Sequence, residues 1–520
     1  MVSLNSKGQQ LARHIQALYE HESTLVKTKA RAETVNVVGA GGALTAAYEQ
    51  LRNAAENTEE HLLVQNAIRR FFKQLFITRD ESVLRDGGNE LAVELTLAGY
   101  VPNDSLTGAQ VSEITRLINL YYQAYEQLYS ERKIAVDQAS HWILDVLAVE
   151  VESVINDHYK DTVFVEFAYA QLSNSIDESS LRGKKIDDFA AALYVAIHQA
   201  LLKSDRAAVR TALIKRYQVS VERLDEYVNF NQRLDSLIDS VATDTLYREV
   251  DRQGAPLRII RRMIDERTDL DKLLVKREAF LEEFEKQVNT EYERVAKRIN
   301  RAIVRSVIFL IITKVLIGVA IEVPYDYWSH GGIIWLPLVI NLLFPPLYMI
   351  ALRATHRLPG YANTRALIDR VDAMLYGDKL SLSGVRRSGR RFGPIFSLLY
   401  VVTGLLVFAG MLYLLLMLQF SLVHIAIFFV FLSAASFLGF RLSRLIRELE
   451  VVRSAQNGMT FVRDLLYLPF VVVGQWMSDK YSKVNIVTII LDMLIELPLK
   501  TVLRLVRQWG AFIDERKDRL

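Results

Sequence analysis

The chain has 520 residues and a formal net charge of +3, and hydrophobic residues make up 51% of it. So small a charge in so long a chain argues against nucleic acid as the main partner. The absence of cysteine excludes disulfides, thiolate metal sites, iron–sulfur clusters and cysteine nucleophiles. The N-terminal segment lacks the apolar core of a secretory signal, so we expect no cleavable signal.

Residues 1–256 are predicted to form a large cytoplasmic helical domain. Apolar residues recur at heptad-like spacing, proline is rare and strand-like alternation is scarce, a pattern typical of an all-α fold. We expect a first helix over 5–33 and a long helix opened by a capping box at Thr107–Gln110. Another capping box, at Asn57–Glu60, predicts the start of a further helix.

One stretch of this domain, DTVFVEFAYAQL at 161–172, has β character. Its β-branched and aromatic residues favour a strand, whereas its surroundings favour helices, so both interpretations stay open. A sub-boundary of the domain is expected near 160–180.

The stretch VNVVGAGGAL at 35–44 shares two glycines with the dinucleotide-binding fingerprint. Gly39 and Gly41 match G-x-G-x-x-G, but Leu44 replaces the third glycine. No β-α-β unit surrounds the stretch, and no acidic residue follows at a strand end. We therefore predict a tight turn between two helices, with an anion at the next helix N-terminus as the alternative.

Catalytic and metal-binding patterns are scarce. His141 and Asp145 lie one helical turn apart, with Glu152 further along the same predicted face. No histidine follows a glutamate by three residues, and HExxH, G-x-S-x-G and the P-loop are absent. We interpret these side chains as a solvated helix face rather than a metal site, and we expect no cofactor and no enzymatic activity.

Residues 257–303 are predicted to form a long stalk helix, either coiled with a partner helix or packed on a neighbour. Apolar residues form a stripe at helical spacing, with dense charges between them. The stripe consists of Leu281, Phe284, Val288, Tyr292, Val295, Ile299 and Ile303. No glycine or proline separates it from the first apolar span, so the stalk should continue into the membrane.

Four membrane spans are predicted. The first covers roughly 304–323 and the second roughly 332–352. Residues 394–440 contain no Asp, Glu, Lys or Arg, and they are long enough for two spans of about 20 residues each. We place the turn between these two spans near 419–421, so that 304–352 forms one transmembrane hairpin and 394–440 the other.

Basic residues flank the spans on alternate sides. They precede the first span, fill a cytoplasmic loop at 353–393 and follow the fourth span, while neither hairpin turn contains Lys or Arg. The positive-inside rule then predicts cytoplasmic N- and C-termini in a plasma (bacterial inner) membrane. Aromatic residues near the first turn are typical of the membrane–water interface on the side away from the cytoplasm. They are Tyr325, Tyr327, Trp328 and Trp335.

Polar residues inside the first two spans are the candidate functional residues. Lys314 lies near the middle of the first span, eight residues before Glu322, and Asn341 lies inside the second. Ionisable groups at this depth are costly unless paired or hydrated, which makes them functional candidates. A snorkelling side chain or a structural hydrogen bond, for example to Asn341, is the alternative for Lys314.

Prolines in the second span are predicted to break its helix, as in spans that line binding sites. They are Pro337, Pro345 and Pro346. A kinked, tightly packed hairpin is the alternative.

Four arginines before the third span are candidates for contact with anionic lipids, although their role in setting the membrane topology explains them equally well. They are Arg386, Arg387, Arg390 and Arg391.

The tail at 441–520 is predicted to be membrane-proximal and amphipathic. Its apolar stretch at 465–477 is short for a span and contains a proline. A charged stripe follows at four-residue spacing, formed by Asp492, Glu496, Lys500 and Arg504. A helix with this stripe would lie in the interface or pack against the bundle.

Two stretches, TEEHLLVQNAIRRFF at 58–72 and LAGYVPNDSL at 97–106, are similar to uncharacterised bacterial multi-span membrane proteins with helical N-terminal regions. The resemblance implies a bacterial origin and no specific activity. Our leading hypothesis is a membrane-anchored helical interaction domain in a scaffold or signal-coupling role, and we expect either a protein partner, which favours this role, or a homo-oligomer, which favours a pore. An oligomeric channel or transporter subunit that uses the first two spans is the alternative, and a membrane enzyme has no motif in its favour.

Overall fold

The computed structural model describes residues 3–37, 46, 49, 62–78, 84–131, 135–176, 178–181, 188–355, 358–377, 394–452, 458–483 and 509. Four of the predicted features lie outside these residues: most of the glycine turn, the capping box at 57–60, the arginines at 386–391 and the charged stripe at 492–504.

The prediction of an all-α fold is confirmed. Every regular element in the described residues is helical, and the β-type contact recorded among them is one isolated antiparallel bridge between Thr34 and Thr107. The chain divides into two compact units. The helical unit contains Ser6–Asp251 and Ile264–Lys272, and the membrane unit contains Arg252–Met263 and Leu273–Val484.

The helical unit is built around three helices that share one hydrophobic core. The helices of this region are α1 (Ser6–Arg31), α2 (Leu63–Thr78), α3 (Gly87–Leu97), α4 (Gly108–Glu131), α5 (Val136–Ile155), α6 (Tyr159–Leu172), α7 (Phe189–Ile197), α8 (Arg206–Arg216), α9 (Leu224–Ile238) and α10 (Val241–Gln253). Phe72 of α2, Ile114 of α4 and Trp142 of α5 are fully buried in that core. Helix α3 packs closely on α4 because Gly88 has no side chain; a Cβ there would lie 2.2 Å from the carbonyl oxygen of Val111.

The capping box predicted at the start of α4 is present. The backbone N–H of Thr107 donates to Gln110 Oε1 at 3.0 Å, and the N–H of Gln110 donates to Thr107 Oγ1 at 3.3 Å. Each side chain therefore satisfies a backbone donor that the first helical turn leaves free.

The ambiguous stretch at 161–172 belongs to helix α6. Val163, Phe164, Val165 and Phe167 are all buried, so the helix is covered on several faces. A helix that is apolar on several faces shows no helical period in its sequence, and its β-branched residues then resemble a strand.

At the junction of α5 and α6, His158 lies between two carboxylates. Its Nε2 is 2.5 Å from Glu152 Oε2, and its Nδ1 is 3.6 Å from Asp161 Oδ2. Hydrogen bonding to Asp161 and Glu152 raises the pKa of His158 to about 10, and Glu152 is the closer of the two carboxylates. Burial alone would raise the pKa of Glu152, but the hydrogen bonds from His158 and Asn156 leave that pKa below its ordinary value.

This arrangement predicts a pH-dependent stability of the helical unit. The folded-state pKa of His158 lies above its ordinary value of 6.5, so its stabilisation is complete below that value and is lost as the pH rises through about 10. In the full-length protein, we expect hydrogen-exchange protection of α5 and α6, corrected for the intrinsic pH dependence, to decline over this range. His158→Gln should remove most of the decline, and His14→Gln on α1 should not. A decline that persists unchanged in His158→Gln would assign it to another group.

The stalk is continuous over a shorter segment than predicted. Residues 257–276 contain the end of helix α11 (Ala255–Glu266) and the short helix α12 (Leu270–Leu274), and the continuous helix α13 begins at Arg277 and ends at Ile317. The break between α11 and α12 is stabilised by the hydroxyl of Tyr19. This hydroxyl donates to the carbonyl of Arg267 at 2.9 Å and accepts from the N–H of Leu270 at 3.2 Å, replacing backbone hydrogen bonds that the break removes.

Among the described residues, four helical stretches are long and apolar enough to cross a bilayer, as predicted: Arg277–His330, Trp335–Ala354, Leu398–Met417 and Leu422–Arg447. The first stretch consists of α13, a π turn (Gly318–Glu322) and α14 (Val323–His330), and the other three correspond to α15 (Trp335–Thr355), α17 (Pro394–Met417) and α18 (Leu422–Arg447). Helix α16 (Tyr361–Leu375) lies between the two hairpins in the sequence, and α19 (Gly458–Lys483) follows the second. The second hairpin turns where predicted, with Gln419 at φ 60° and Ser421 capping α18. We call the end of the spans that carries the two turns the hairpin end.

Helix α16 is joined to the stalk through a buried asparagine. Asn363 Nδ2 donates to Tyr292 Oη and to the carbonyl of Leu449, both at 2.8 Å. Its Oδ1 accepts from the N–H groups of Val451 and Val452, at 2.7 Å and 3.0 Å. One side chain thus connects α13, α16 and the segment that follows α18.

Replacing Asn363 with leucine should remove all four hydrogen bonds, and Tyr292 Oη would keep only the longer one from Thr364 Oγ1, at 3.5 Å. We expect the free energy of unfolding of the membrane unit to fall by about 2 kcal/mol, measured by denaturant unfolding of the full-length protein in detergent micelles. Asn289→Leu, at an exposed position of α13, is the matched control and should change stability by less than about 0.5 kcal/mol. Equal stabilities of the two variants would contradict this role of Asn363.

Helix α19 lies beside two of the candidate spans. Gly404 of α17 approaches Pro469, so that a Cβ on the glycine would be 3.7 Å from the proline ring. The ring of Phe470 lies 4.7 Å from Phe408 of α17 and 6.1 Å from Phe429 of α18, between centroids. Because Gly404 and Phe408 are near the middle of α17, the apolar stretch at 465–477 packs at the middle of the bundle.

Candidate intramembrane polar site

The predicted polar residues of the first span meet in a buried ion pair. Lys314 Nζ lies 2.6 Å from Glu322 Oε1, and the two side chains are 2% and 0% exposed. Eight residues of α-helix rise about 12 Å, which is long for a direct contact between these side chains. The intervening π turn, Gly318–Glu322, inserts extra backbone into the helix and places Glu322 on the side that faces Lys314.

Asn341 of α15 connects this ion pair to the fourth span. Its Nδ2 donates to Glu322 Oε1 at 3.3 Å and to the carbonyl of His424 at 3.2 Å. Lys314 also lies over the ring of Phe431 in α18, with Nζ 4.8 Å from the centroid. The site therefore draws on α13, α15 and α18, and on the π turn.

A second polar pair lies closer to the hairpin end. Asp326 of α14 and His424 of α18 are both 0% exposed, with Oδ1 and Nε2 3.6 Å apart. The other carboxylate oxygen of Asp326 accepts from the N–H of Ile334 at 3.0 Å, just before α15 begins. The remaining ring nitrogen of His424, Nδ1, is 2.7 Å from Ser421 Oγ. Asp326 and His424 are thus anchored on opposite sides of a short gap.

Four buried polar atoms of this site have no hydrogen-bond partner: Glu322 Oε2, Asp326 Oδ1, Asn341 Oδ1 and His424 Nε2. Buried polar atoms are nearly always hydrogen-bonded, and exceptions call for a water, an ion or a functional explanation. Three of the four are oxygen acceptors, so the site lacks donors. This composition suits a positively charged species or a proton donor.

Sequence reasoning identified Lys314, Glu322 and Asn341, and the structure brings all three together. It missed Asp326 and His424. Asp326 lies between the predicted spans at 304–323 and 332–352, where the sequence predicts a hairpin turn, whereas the helix continues to His330. His424 is the one histidine in the segment at 394–440 that lacks Asp, Glu, Lys and Arg, and that signal was available.

The prolines do not break the second span. Helix α15 continues from Trp335 to Thr355 through all three prolines. Pro337 lies in the first turn, where backbone N–H groups have no helical partner, so the ring costs no hydrogen bond there. Pro345 and Pro346, both buried, free carbonyls in the part of the bundle where α15 packs on α13 and α18.

The polar residues singled out in the helical unit do not converge. His141 Nδ1 contacts Asp145 Oδ2 at 3.1 Å on an exposed surface, whereas Glu152 contacts His158 instead. In the described parts of the chain, no group of three or more His, Asp or Glu residues is placed to hold a metal ion.

No protein-family model, no curated protein and no solved structure matches the chain.

Proposed function

We propose that this is a multi-pass membrane protein in which helix α13 couples the intramembrane polar site to membrane-proximal helices, in a scaffold or signal-coupling role. The observation that carries the proposal is the continuity of α13, which runs for 41 residues from Arg277 to Ile317 without a break. At about 1.5 Å per residue it is about 60 Å long, twice the hydrocarbon thickness of a bilayer.

The two ends of α13 have different partners. At its N-terminal end, Arg277 forms two hydrogen bonds with Asp372 of α16, both 2.7 Å long. Near its other end, Lys314 pairs with Glu322 in the polar site. A continuous hydrogen-bonded helix moves as one body, so a change in the Lys314 pair that shifts α13 also displaces it against α16. A helix shift of this kind could transmit a signal from the membrane to an attached domain.

The orientation follows from the basic residues that flank the spans. We place the stalk and α16 at the cytoplasmic face and the hairpin end at the opposite face. The arginines at 386–391 would then contact anionic lipid headgroups.

The coupling is tested with spin labels, which the cysteine-free chain accepts at chosen positions. Labels at Glu278 of α13 and Asp369 of α16, both exposed, report the distance between the two helices in the full-length protein in liposomes. We expect Lys314→Met and Glu322→Gln each to change this distance distribution, and Lys297→Met to leave it unchanged. Identical distributions in all variants would contradict the coupling.

The scaffold role is tested by purifying the full-length protein gently from its native membrane and weighing the intact complex. We expect a stoichiometric second protein. A homo-oligomer without any other protein would contradict the scaffold role.

A second candidate function, an oligomeric channel or transporter subunit, is favoured by the four unpartnered polar atoms inside the spans. It predicts ion or proton flux in liposomes that is lost in Lys314→Ala and Asn341→Ala. Flux that persists unchanged in both variants would exclude these residues from transport.

A further inference from the structure

The pair Asp326–His424 differs from the Lys314–Glu322 pair in its charge balance. Lys314 and Glu322 are oppositely charged and 2.6 Å apart, so together they are neutral. Asp326 faces a histidine, which is neutral or positive according to its protonation state. With His424 neutral, the site as a whole carries one uncompensated negative charge in a fully buried position, which is costly in a membrane. One added proton makes the site neutral.

Among the described residues, the groups recorded around this pair offer no other compensating charge. The neutral amide of Asn341 in α15 links it to the Lys314–Glu322 pair, donating to Glu322 Oε1 and to the carbonyl of His424. Tyr325 of α14 has its ring 6.4 Å from the ring of His424. His330 lies beyond Tyr325, with the two ring centroids 6.3 Å apart, and its side chain is exposed. Phe420, in the second turn, contacts His424 edge-on at 6.2 Å and carries no charge.

We propose that Asp326 and His424 form a reversible proton-binding site inside the membrane bundle. The two unpartnered atoms that face each other, Asp326 Oδ1 and His424 Nε2, are 3.6 Å apart. An incoming proton bonds to the lone pair of the ring nitrogen that carries no hydrogen and converts the neutral ring to imidazolium. In the imidazolium form Nε2 carries an N–H that faces the carboxylate, the net charge of the site changes from −1 to zero, and no other bond is broken.

The proton has a short route to this site. Ser421 caps α18 in the second hairpin turn, is partly exposed, and lies 2.7 Å from His424 Nδ1. An imidazole accepts a proton at one nitrogen and releases one at the other, so the ring connects Ser421 at the hairpin end with Asp326 inside the bundle. Proton binding by this pair does not depend on the coupling through α13, and the experiment below measures the binding itself.

The test is nitrogen NMR of the full-length protein in liposomes with ¹⁵N-labelled histidine. The His424 signal is assigned by its loss in His424→Gln, and independently by its displacement in Ser421→Ala, which keeps both ionisable groups. We expect this signal to change reversibly between neutral and protonated forms when the pH is varied over the range in which the protein stays folded. Asp326→Asn should displace the transition, and His330→Gln should not.

Two results would overturn the proposal. The first is a His424 signal that keeps one protonation state at every pH at which the protein stays folded. The second is a transition that is the same in Asp326→Asn as in the unmodified protein, since the carboxylate would then take no part in binding the proton.

Discussion

Replacing Lys314 with methionine is expected to lower the free energy of unfolding of the membrane unit by about 3–5 kcal/mol. In the described part of the chain, the variant removes the cation that contacts Glu322; Lys314 and Glu322 are 2.6 Å apart and almost completely buried. The Glu322 carboxylate is then left without a counter-charge in a low-dielectric surrounding. Equilibrium unfolding of the full-length protein in mixed micelles, followed by circular dichroism, measures the loss.

A double variant separates this electrostatic effect from the loss of packing. Lys314→Met combined with Glu322→Gln removes both charges and keeps an amide oxygen that can accept from Asn341 Nδ2. We expect the double variant to recover most of the lost stability, because the cost of the single change lies in the charge left behind. Lys297→Met is the matched control. Lys297 lies 3.7 Å from Glu293 on an exposed part of the same helix, and a pair of this kind contributes less than about 1 kcal/mol. A double variant as unstable as Lys314→Met would refute the ion pair as the cause.

Replacing Gly474 with alanine should separate α19 from α18. A Cβ at this position would lie 2.2 Å from the backbone oxygen of Ser433 and 2.7 Å from the Cβ of Phe437. Because the first of these atoms is backbone, side-chain rotation cannot relieve the overlap, and one helix must move. We expect a loss of about 3 kcal/mol and faster hydrogen exchange throughout α19.

Gly410→Ala is the matched control for this substitution. Gly410 lies in α17, and a Cβ there would meet no atom within 4 Å. Alanine is a better helix former than glycine by up to about 1 kcal/mol, so this variant should be at least as stable as the unmodified protein. If both alanine variants had the same stability, the close contact between α18 and α19 would not exist in solution.

Much of the fold follows from local sequence signals. The four candidate spans were predictable because long apolar segments without charged residues are typical of transmembrane helices. The capping box at Thr107 was predictable because the residue types at Thr107 and Gln110 and their three-residue spacing determine it. Lys314, Glu322 and Asn341 were identifiable because polar groups are rare at that depth in apolar segments.

Other features depend on tertiary contacts that the sequence does not display. The stalk breaks near Arg267, where Tyr19, more than two hundred residues earlier, supplies the missing hydrogen bonds. The π turn that brings Glu322 to Lys314 has no distinct sequence signal, since it is an irregularity within an otherwise apolar helix. Asp326 looked like a loop residue because tyrosine, tryptophan and glycine surround it. The second pair of the site was therefore missed although both of its residues were visible.

We propose that the polar site lies within the bilayer, with the hairpin end facing outward and the stalk facing the cytoplasm. Single cysteines at Ser329, Leu316 and Lys297 test this claim, with an impermeant thiol reagent applied to intact cells and then to permeabilised cells. All three positions are exposed on the protein surface. We predict that Ser329→Cys reacts in intact cells, Lys297→Cys reacts only after permeabilisation, and Leu316→Cys reacts in neither because lipid covers it. Labelling of Leu316→Cys, or the reverse pattern for the other two, would contradict the claim.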